Sequence, residues 1–565
     1  MKKTFIYIAI CSFAFSVTSC QEEFLDVAPE NVISEDNLDL EKLVVSAYSS
    51  LDYRFNTGEF RDNWPFDHAP SNWAFSDIRS GDAYKGGGGV GDNPGGGMHE
   101  LETHAIFPSS ENVYNLWRAV YFGIYRVNSA IIAIQGNTDF SNKEIRIAEL
   151  KVIRAHFYFE LMKNFGSFAY IDENTPVDQV ATIPNSFDKD FLWGKIEADL
   201  NAAVEVLPET QTEMGRVNKY VAYAFLAKAK LFQQQWAEVI TYSNEVLSGP
   251  YGLVTDLEKL YSSAGYGNSE NVFAIQYSVN DGSDFGNLNF GDLLNSPDSP
   301  ADDANHPYIN GDDFDKPTQN IVNAFKVDAN GLPLLESYNN SDLDPMDTTT
   351  PVDPRLDHSI GRPGITWKKW TNMPQQVNWS RDIPTYGLYV KKKNQIDPYD
   401  DTRPSQGFPW AKGALDHAII KISDVMLWKA EALIESGSAD EGIAIINEIR
   451  TRAKNSPYVY DFNDNSKDAA NYKIGLYPNG LTKSKAMQAL KMERRLELHN
   501  EGHHFYDLVR WGEAASWINE YMLNESSKRL YYSGAHFDQN KEEYLPIPQI
   551  EIDATSGLYQ QRSGY

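Results

Sequence analysis

The chain has 565 residues, of which 42% are hydrophobic and 23% charged, so it can bury a large core and is not a disordered polypeptide. Its 79 acidic residues outnumber its 50 Lys and Arg residues, which gives a formal net charge of -29. This charge argues against a nucleic-acid partner, because phosphate binding needs a basic surface.

The N-terminus has the pattern of an export signal. Met1, Lys2 and Lys3 precede an apolar run over residues 5–17, which predicts a secretory signal peptide over residues 1–19. The run is too short to span a bilayer, and no later stretch has about 18 uninterrupted apolar residues. We therefore predict that the mature chain has no transmembrane helix.

The cysteines lie only in this region, as Cys11 and Cys20, so no disulfide or Cys-rich metal framework is expected. The sequence Val17-Thr-Ser-Cys20 resembles the lipobox of bacterial lipoproteins. The resemblance implies that the signal is cleaved before Cys20 and that this residue is acylated, which would anchor the protein to a bilayer surface. The alternative is an ordinary signal peptide that contains a cysteine.

Helical periodicity predicts two stretches of paired helices, over residues 141–250 and 415–453. In both stretches apolar residues recur every three or four positions, with small Ala residues where two helices must approach closely. Each helix pair occupies close to the tetratricopeptide period of about 34 residues. We therefore predict a mostly α fold, in which tetratricopeptide-like helical repeats pack with a long loop-rich region.

Local signals predict where some of these helices begin and what they include. Capping boxes, which are typical of helix N-termini, start at Ser141 and Ser438. Another helix is predicted to begin at Trp236, after a Gln-rich turn. The first helix of the second stretch is predicted to include Ile419.

Two long segments rich in Gly, Pro, Asn and Asp, residues 55–108 and 281–413, are predicted to be loops. Loops of this length are usually functional or disordered, but disorder disfavours aromatic residues and half of the 12 tryptophans lie here. We interpret the segments as ordered surface that forms a ligand-binding face.

Aromatic rings on these loops could stack on a sugar, while neighbouring Asp, Asn and Arg side chains bond its hydroxyl groups. The alternative for each ring is that it fastens its loop onto the helices. The predicted glycan-binding residues are Trp73, Asp82, Tyr84, Arg362, Trp367, Trp370 and Tyr389.

The C-terminal part carries the motif of a known family. Residues 493–512 read Glu-Arg-Arg-Leu-Glu-Leu-His-Asn-Glu-Gly-His-His-Phe-Tyr-Asp-Leu-Val-Arg-Trp-Gly and closely resemble the C-terminal signature of the SusD/RagB family of Bacteroidetes outer-membrane lipoproteins. Other family-like motifs occur in the same order as in the family and span nearly the whole chain. They are Leu25-Asp26 with Pro29, residues 154–166, residues 423–433 with 447–453, Leu545-Pro-Ile-Pro-Gln549, Glu551-Ile-Asp553 and Gly564-Tyr565.

The resemblance implies a surface-exposed, lipid-anchored outer-membrane protein that captures oligosaccharides or polysaccharide and passes them to a SusC-like TonB-dependent transporter. It implies a binding protein and not an enzyme, with no cofactor and no metal. It also implies a lipidated tether over residues 20–44, followed by one domain over residues 45–565. The motifs shared by the family are structural or face the transporter, so none of them transfers a glycan-binding residue.

Two other functions remain open. Some relatives are thought to capture peptides. A glycoside hydrolase would need two carboxylates at a fixed separation, and the loops contain many Asp residues, although Asp is also common in turns.

Three further motif matches favour structural roles. Residues 86–91 satisfy G-x-G-x-x-G without a following helix, and His499 and His503 are one helical turn apart without the H-E-x-x-H pattern. Residues 461–465 begin like a calcium loop but lack its Gly and final Glu.

Overall fold

The structure is a computed structural model, which describes residues 39–54, 65–93, 97–262, 265–279, 281, 287–298, 311–368, 373–395 and 413–565. The predicted signal peptide, Cys20 and Trp370 lie outside the described residues. Within the described ranges, no helix is both long enough and apolar enough to cross a membrane.

The described chain is mostly helical. The α-helices are α1 Leu40–Ser49, α2 Met98–Glu102, α3 Glu111–Gly136, α4 Lys143–Asn164, α5 Lys189–Val206, α6 Lys219–Phe232, α7 Trp236–Leu247, α8 Leu257–Leu260, α9 Gln319–Ala324, α10 Arg355–Ser359, α11 Ile383–Tyr386, α12 Ile422–Glu435, α13 Ala439–Asn455, α14 Lys483–Glu497, α15 His504–Arg510, α16 Ala514–Ser526 and α17 Gln549–Ala554.

Short strands form two-stranded antiparallel sheets, which pair β1 with β3, β2 with β6, β4 with β5 and β7 with β8. The first two sheets join distant parts of the chain, whereas β7 and β8 form a local hairpin. The strands are β1 Ala83–Gly86, β2 Asn271–Ile275, β3 Phe314–Pro317, β4 Ile360–Gly361, β5 Val390–Lys391, β6 His417–Lys421, β7 Tyr460–Asp461 and β8 Asp464–Asp468.

The predicted helix pairs are confirmed. Helix α4 packs on α5, α6 on α7, and α12 on α13. Helix α7 also packs against α12, so the two helical stretches form one continuous scaffold. The apolar stripe of α4, including Leu150, Ile153, Phe157 and Leu161, is fully buried in its core. This burial explains the three-and-four spacing seen in the sequence.

The helix starts predicted at Trp236 and Ser438 are confirmed, whereas the start predicted at Ser141 is wrong by one residue and neither capping box forms its side-chain hydrogen bond. Helix α4 starts at Lys143 after Asn142, whose φ of 59° lies in the left-handed region that Asn tolerates. Neither Asn142 nor Ser438, which precedes α13, makes a side-chain capping hydrogen bond.

The prediction that Ile419 is helical is wrong. Ile419 lies in β6, which pairs with β2, and α12 begins only at Ile422. Both the strand and the helix bury apolar side chains, so the apolar pattern runs across their boundary without a visible break.

The two loop-rich segments pack against each other and against the helices. Strand β1 from the first segment pairs with β3 from the second, with Ala83 opposite Pro317. The first segment also contains a short π-helix, Trp73–Ile78, whose residues are all buried. The described parts of these segments are therefore ordered, as predicted, but much of them forms core and not surface.

The signature over residues 493–512 connects the helices to the second loop-rich segment. In α14, Glu493 lies 2.6 Å from Arg355 and 3.0 Å from Arg450. The next residue, Arg494, reaches Asp424 of α12 at 2.7 Å. All five side chains are buried, so the motif acts as a charged framework inside the protein.

Candidate functional site

The predicted glycan-binding residues that the structure describes are buried. These residues are Trp73, Asp82, Tyr84, Arg362, Trp367 and Tyr389. Trp370 lies outside the described residues. The expectation that these residues form an open ligand-binding surface is corrected for the four aromatic rings and the two charged side chains, because each is enclosed by other parts of the protein.

The two aromatic candidates of the first loop segment, Trp73 and Tyr84, contact residues that are far away in the chain. The indole nitrogen of Trp73 donates a hydrogen bond of 3.0 Å to the carbonyl oxygen of Gly291. The Tyr84 hydroxyl donates to Glu525 at 2.9 Å, and the Arg529 guanidinium lies 4.2 Å from the centre of the Tyr84 ring. Both residues fasten this segment to the rest of the fold.

The two described aromatic candidates of the second segment, Trp367 and Tyr389, are held by contacts within that segment. Trp367 packs edge-on against Trp379, with 5.2 Å between ring centres and an interplanar angle of 85°. The Tyr389 hydroxyl donates to the carbonyl oxygen of Leu343 at 2.6 Å. Neither ring offers an open face to a ligand.

The two charged candidates are held in ion pairs. Asp82 accepts hydrogen bonds from Arg495 and lies 2.9 Å from His504. Burial alone would raise the pKa of Asp82, but the charges of Arg495 and His504 lower it below its ordinary value. Arg362 donates to both carboxylate oxygens of Asp357, at 2.7 and 2.8 Å.

A different set of residues forms an open site, which we call the polar cleft. It encloses about 690 Å³ of non-atom space, open solvent included, and continues into a neighbouring depression of about 490 Å³. Its lining includes Ser71, Tyr261, Tyr266, Asn268, Asn271, Asp292, Asn295, Lys391, Asn394, Gln395, Asp416, His417, Lys421, Asn500 and Glu501.

The cleft combines residues from both predicted loop segments with residues from β6. The Ser71 hydroxyl, just before the π-helix, donates to Asp292 of the second segment at 2.8 Å. Asn289 and Asn295 also donate to Asp292, at 3.0 and 3.3 Å. Burial would raise the pKa of Asp292, but the nearby charge of Lys391 and the hydrogen bonds from Ser71 and Asn289 lower it.

Asp416, immediately before β6, is in a different environment. Its Oδ2 accepts a 3.1 Å hydrogen bond from the backbone of Gly267, and its Oδ1 has no hydrogen-bond partner among the described residues. Burial raises the pKa of Asp416 to about 6. Two carboxylates of one cleft thus have their pKa values shifted in opposite directions.

The cations of the cleft are already paired. Lys391 in β5 lies 2.7 Å from Asp315, and Lys421 at the end of β6 lies 2.7 Å from Glu501. Burial lowers the pKa of His417, which favours the neutral ring. Among the described lining residues, both ammonium groups are therefore already paired with carboxylates.

Buried amide oxygens add hydrogen-bond acceptors. The side-chain oxygens of Asn295, Gln395 and Asn500 lack partners among the described residues, although each residue is at most 4% exposed. Unpaired buried acceptors are costly, and these three oxygens belong to residues that line one cleft.

The exposed ring of the cleft is Tyr266, which is 45% exposed. Tyr261 lies beside it but is buried beneath Lys393, whose ammonium nitrogen is 4.5 Å from the centre of the ring. Sequence reasoning missed Tyr266 because it lies outside both loop segments. Its position between Gly265 and Gly267 was the available signal of an exposed turn.

The histidines of the C-terminal signature are structural in this fold. His499 and His504 are buried, and His504 faces Asp82. Across the described ranges, no group of three or more His, Cys, Asp and Glu residues could hold a metal ion.

A second depression lies beside α1. It is lined by Val45, Tyr48, Met214, Arg216 and Tyr277, among others, and encloses about 940 Å³ with open solvent included. Its lining also contains Asp52, Glu213, Gln276 and Asn287, and the side-chain oxygen of Gln276 lacks a partner among the described residues, so this depression has a mixed polar and apolar character.

The paired helices and the overlying loop layer define a tetratricopeptide-like helical protein with a polar cleft in that layer. A family model described as the SusD family matches residues 269–565, which is more than half of the chain. A second model, described as starch-binding associating with outer membrane, matches residues 23–231. The chain belongs to the SusD family.

Relatives match over almost the full length. SusD-like protein P25 of Formosa agariphila is 22% identical over 595 residues, covering 96% of this chain and 97% of that protein. SusD-like protein P2 of the same organism is 24% identical over 489 residues, covering 84% and 85% of the two chains.

Solved structures share the fold. A laminarin-binding SusD-like protein has a TM-score of 0.68 at 24% identity, covering 93% of this chain and 99% of its own. Surface glycan-binding protein A from Bacteroides thetaiotaomicron, in complex with laminarihexaose, has a TM-score of 0.67 at 20% identity, covering 93% and 98%. These similarities confirm the mostly α, tetratricopeptide-like architecture.

Proposed function

We propose that this chain is a cell-surface glycan-binding lipoprotein, which captures oligosaccharides or polysaccharide and passes them to a SusC-like TonB-dependent transporter. The observation that carries the proposal is the polar cleft, in which unpaired buried acceptors lie beside the exposed ring of Tyr266. The names of its relatives agree, since one is a laminarin-binding protein and another was solved with laminarihexaose.

The chemistry of the cleft suits a sugar. A sugar ring presents hydroxyl donors around its edge and an apolar face, and the cleft offers amide and carboxylate acceptors together with one exposed aromatic ring. An apolar peptide side chain would bury these acceptors without satisfying them, which costs free energy. A glycan is therefore the better ligand for this cleft, and peptide capture is the less favoured alternative.

The proposed location is the outer face of the outer membrane, with the protein anchored through acylated Cys20. The lipobox-like sequence and the description of the family model over residues 23–231 support this location. Replacing Cys20 with Ser should move the protein from the membrane fraction to the soluble fraction and abolish labelling by a radioactive fatty acid. Retention of the C20S variant in the membrane fraction would contradict lipid anchoring.

One observation favours a hydrolase as the second candidate, namely that Asp292 and Asp416 have pKa values shifted in opposite directions. Three side-chain donors already occupy the Asp292 carboxylate, however, which leaves it poorly suited to act as a nucleophile or base. We therefore propose capture without cleavage. Release of shorter sugars by the purified protein, lost in the D416N variant, would favour the hydrolase.

The binding test uses the soluble chain that begins after Cys20. A glycan array identifies a ligand, and calorimetry then compares Tyr266→Ala with the unchanged protein. Loss of ring stacking should weaken binding by about 1–2 kcal/mol. The matched control is Tyr125→Ala on α3, since Tyr125 is 66% exposed and is not part of the cleft lining.

The proposal fails if no glycan binds while a peptide binds tightly. It also fails at the level of the site if the Y266A and Y125A variants bind the glycan equally well. Transfer to the transporter has its own test, in which the acylated protein should co-purify with a SusC-like barrel from the outer membrane. Absence of such a complex would leave glycan capture intact but would contradict the hand-over.

A further inference from the structure

We propose that the polar cleft selects uncharged glycans and discriminates against those that carry carboxylate or sulfate groups. This inference rests on the proposed function, because it names the ligand class of the same site. It follows from three properties of the lining. Its carboxylates outnumber its cations, its cations already form ion pairs, and its amide groups have unpaired oxygen atoms.

The carboxylates of the lining are Asp292, Asp416 and Glu501, whereas its ammonium groups are Lys391 and Lys421. The carboxylates thus outnumber the cations, within a chain whose formal net charge is -29. A second negative charge brought close to Asp416 would be repelled, most strongly in the partly buried interior of the cleft.

The cations cannot offset this repulsion. Lys391 lies 2.7 Å from Asp315, a carboxylate that is completely buried. Glu501 pairs with Lys421 and also with Lys393 from behind the cleft. Recognition of a uronate or sulfate normally uses an Arg or Lys that is free to form charge-assisted hydrogen bonds. Turning Lys391 toward such a ligand would leave the buried carboxylate of Asp315 without its ion-pair partner.

Each of the three amides uses its side-chain nitrogen as a donor within the protein. The side-chain nitrogen of Asn295 donates to Asp292 at 3.3 Å, and that of Asn500 donates to the carbonyl oxygen of Asp315 at 3.4 Å. Gln395 similarly uses its nitrogen to donate to the carbonyl oxygen of Lys393, at 3.4 Å. All three oxygens remain without a partner among the described residues.

Acceptors of this kind require donors from the ligand. The hydroxyl groups of a neutral sugar both donate and accept, whereas an ionised carboxylate or a sulfate ester only accepts. An acidic group placed against the unpaired oxygen of Asn295, Asn500 or Asp416 would therefore face another acceptor. The negative charge of the lining and its unpaired acceptors therefore both favour uncharged glycans.

The test compares matched polymers on the soluble chain that begins after Cys20. Each neutral glycan that binds, beginning with laminarin, is compared with its sulfated or carboxymethylated derivative, and alginate and polygalacturonate are included as natural anionic polymers. The charged derivatives should bind at least about tenfold more weakly, because each meets repulsion that its neutral parent does not. Raising the salt concentration should recover part of their affinity and leave that of the neutral glycan unchanged.

A variant isolates the charge effect. Asp416→Asn should narrow the difference between the neutral and sulfated polymers, because it removes one negative charge while preserving the shape of the side chain. The matched control is Asp178→Asn, which removes an exposed carboxylate outside the cleft lining and should leave the difference unchanged. Thermal unfolding of both variants checks that each is folded.

Two failures are distinguishable. If an anionic glycan binds as tightly as any neutral one, the inference is overturned while glycan capture stands. If neither neutral nor anionic glycans bind, the proposed function and the inference fall together. An equal effect of the D416N and D178N variants would also overturn the role of the cleft charges.

Discussion

Asp82 and Arg495 illustrate what single buried charges do in this protein. Their ion pair joins the first loop segment to α14, with 2.6 Å between a guanidinium nitrogen and a carboxylate oxygen, and both side chains are only 2% exposed. Truncating one partner would leave the other charged and buried. The pair therefore determines where the loop lies, and it contributes little to stability beyond what its desolvation costs.

We predict that Asp82→Ala lowers the free energy of unfolding by about 3–5 kcal/mol, because Arg495 is left unpaired. Urea unfolding measures the loss, and the exposed Asp178→Ala variant should change stability by less than about 0.5 kcal/mol. Glycan affinity of the folded D82A protein should equal that of the unchanged chain. Weaker glycan binding at unchanged stability would instead indicate that Asp82 contacts the ligand.

Trp73 leads to a similar prediction. Trp73→Ala should lower the free energy of unfolding by about 3–5 kcal/mol, because a fully buried indole is removed and the bond to Gly291 is lost. Differential scanning calorimetry should show a lower Tm than for Tyr266→Ala, whose ring is partly exposed. An unchanged Tm with weakened glycan binding would contradict the core assignment.

The burial of these residues could not be predicted from the local sequence. Trp73 is buried because it meets Gly291, which is 218 positions away, and Tyr84 because it meets Glu525, which is 441 positions away. Composition correctly indicated ordered loops, but a Trp beside Asp and Arg has the same local pattern in a core as on a sugar-binding surface. The acceptors of the cleft likewise become visible only when distant segments are brought together.

At the scale of elements, the sequence was far more informative. The stripe of α4 predicts both the helix and its buried face, because helical periodicity and burial depend on neighbours three and four residues apart. Boundaries were less predictable, as Ile419 and Asn142 show, since strand pairing and backbone strain depend on contacts outside the local sequence.

The packing of α3 on α4 leads to an element-scale prediction. A Cβ atom added at Gly123 of α3 would lie 2.3 Å from the Phe157 ring of α4, whereas one added at Gly194 of α5 would meet nothing within 4 Å. Gly123→Ala should therefore destabilise the protein by about 1–3 kcal/mol through overpacking. Gly194→Ala should instead stabilise it by up to about 1 kcal/mol, through better helix propensity.

Chemical unfolding of the two variants separates these effects, since both make the same substitution inside a helix. Equal stability changes would show that helices α3 and α4 can move apart at little cost. A stabilised G123A protein would contradict the close approach of the two helices.

At the scale of the whole molecule, buried carboxylates form ion pairs with arginine side chains in several parts of the fold. Asp353 and Asp357 pair with Arg355 and Arg362, and Glu497 of α14 pairs with Arg452. Burial would raise the pKa of each carboxyl group, but the neighbouring cations lower it below its ordinary value. The stability of the fold is therefore coupled to the ionisation of carboxylates in several layers at once.

We predict that the protein loses stability steeply in acid. The charges of Arg494 and Arg510 outweigh burial and lower the pKa of Asp507 to about 2, whereas an unfolded Asp titrates near 4. A carboxyl group with a lowered folded pKa stabilises the fold above its unfolded pKa, and this contribution is lost as the pH falls from about 4 toward 2. The Tm should therefore fall progressively below about pH 5.

Groups with raised pKa values act in the opposite sense. Burial raises the pKa of Asp313 and Asp416 to about 6, so the stability associated with their neutral forms is lost as the pH rises through 6. Calorimetric Tm values from pH 7.5 to 3 should accordingly rise slightly toward pH 5.5 and then drop. Asp507→Asn should reduce the fall in Tm at acidic pH, and Asp416→Asn should reduce the rise in Tm between pH 7.5 and 5.5. A Tm that stays constant between pH 5 and 3 would contradict the proposed coupling, because the buried carboxylates would then have the same pKa in the folded and unfolded chain.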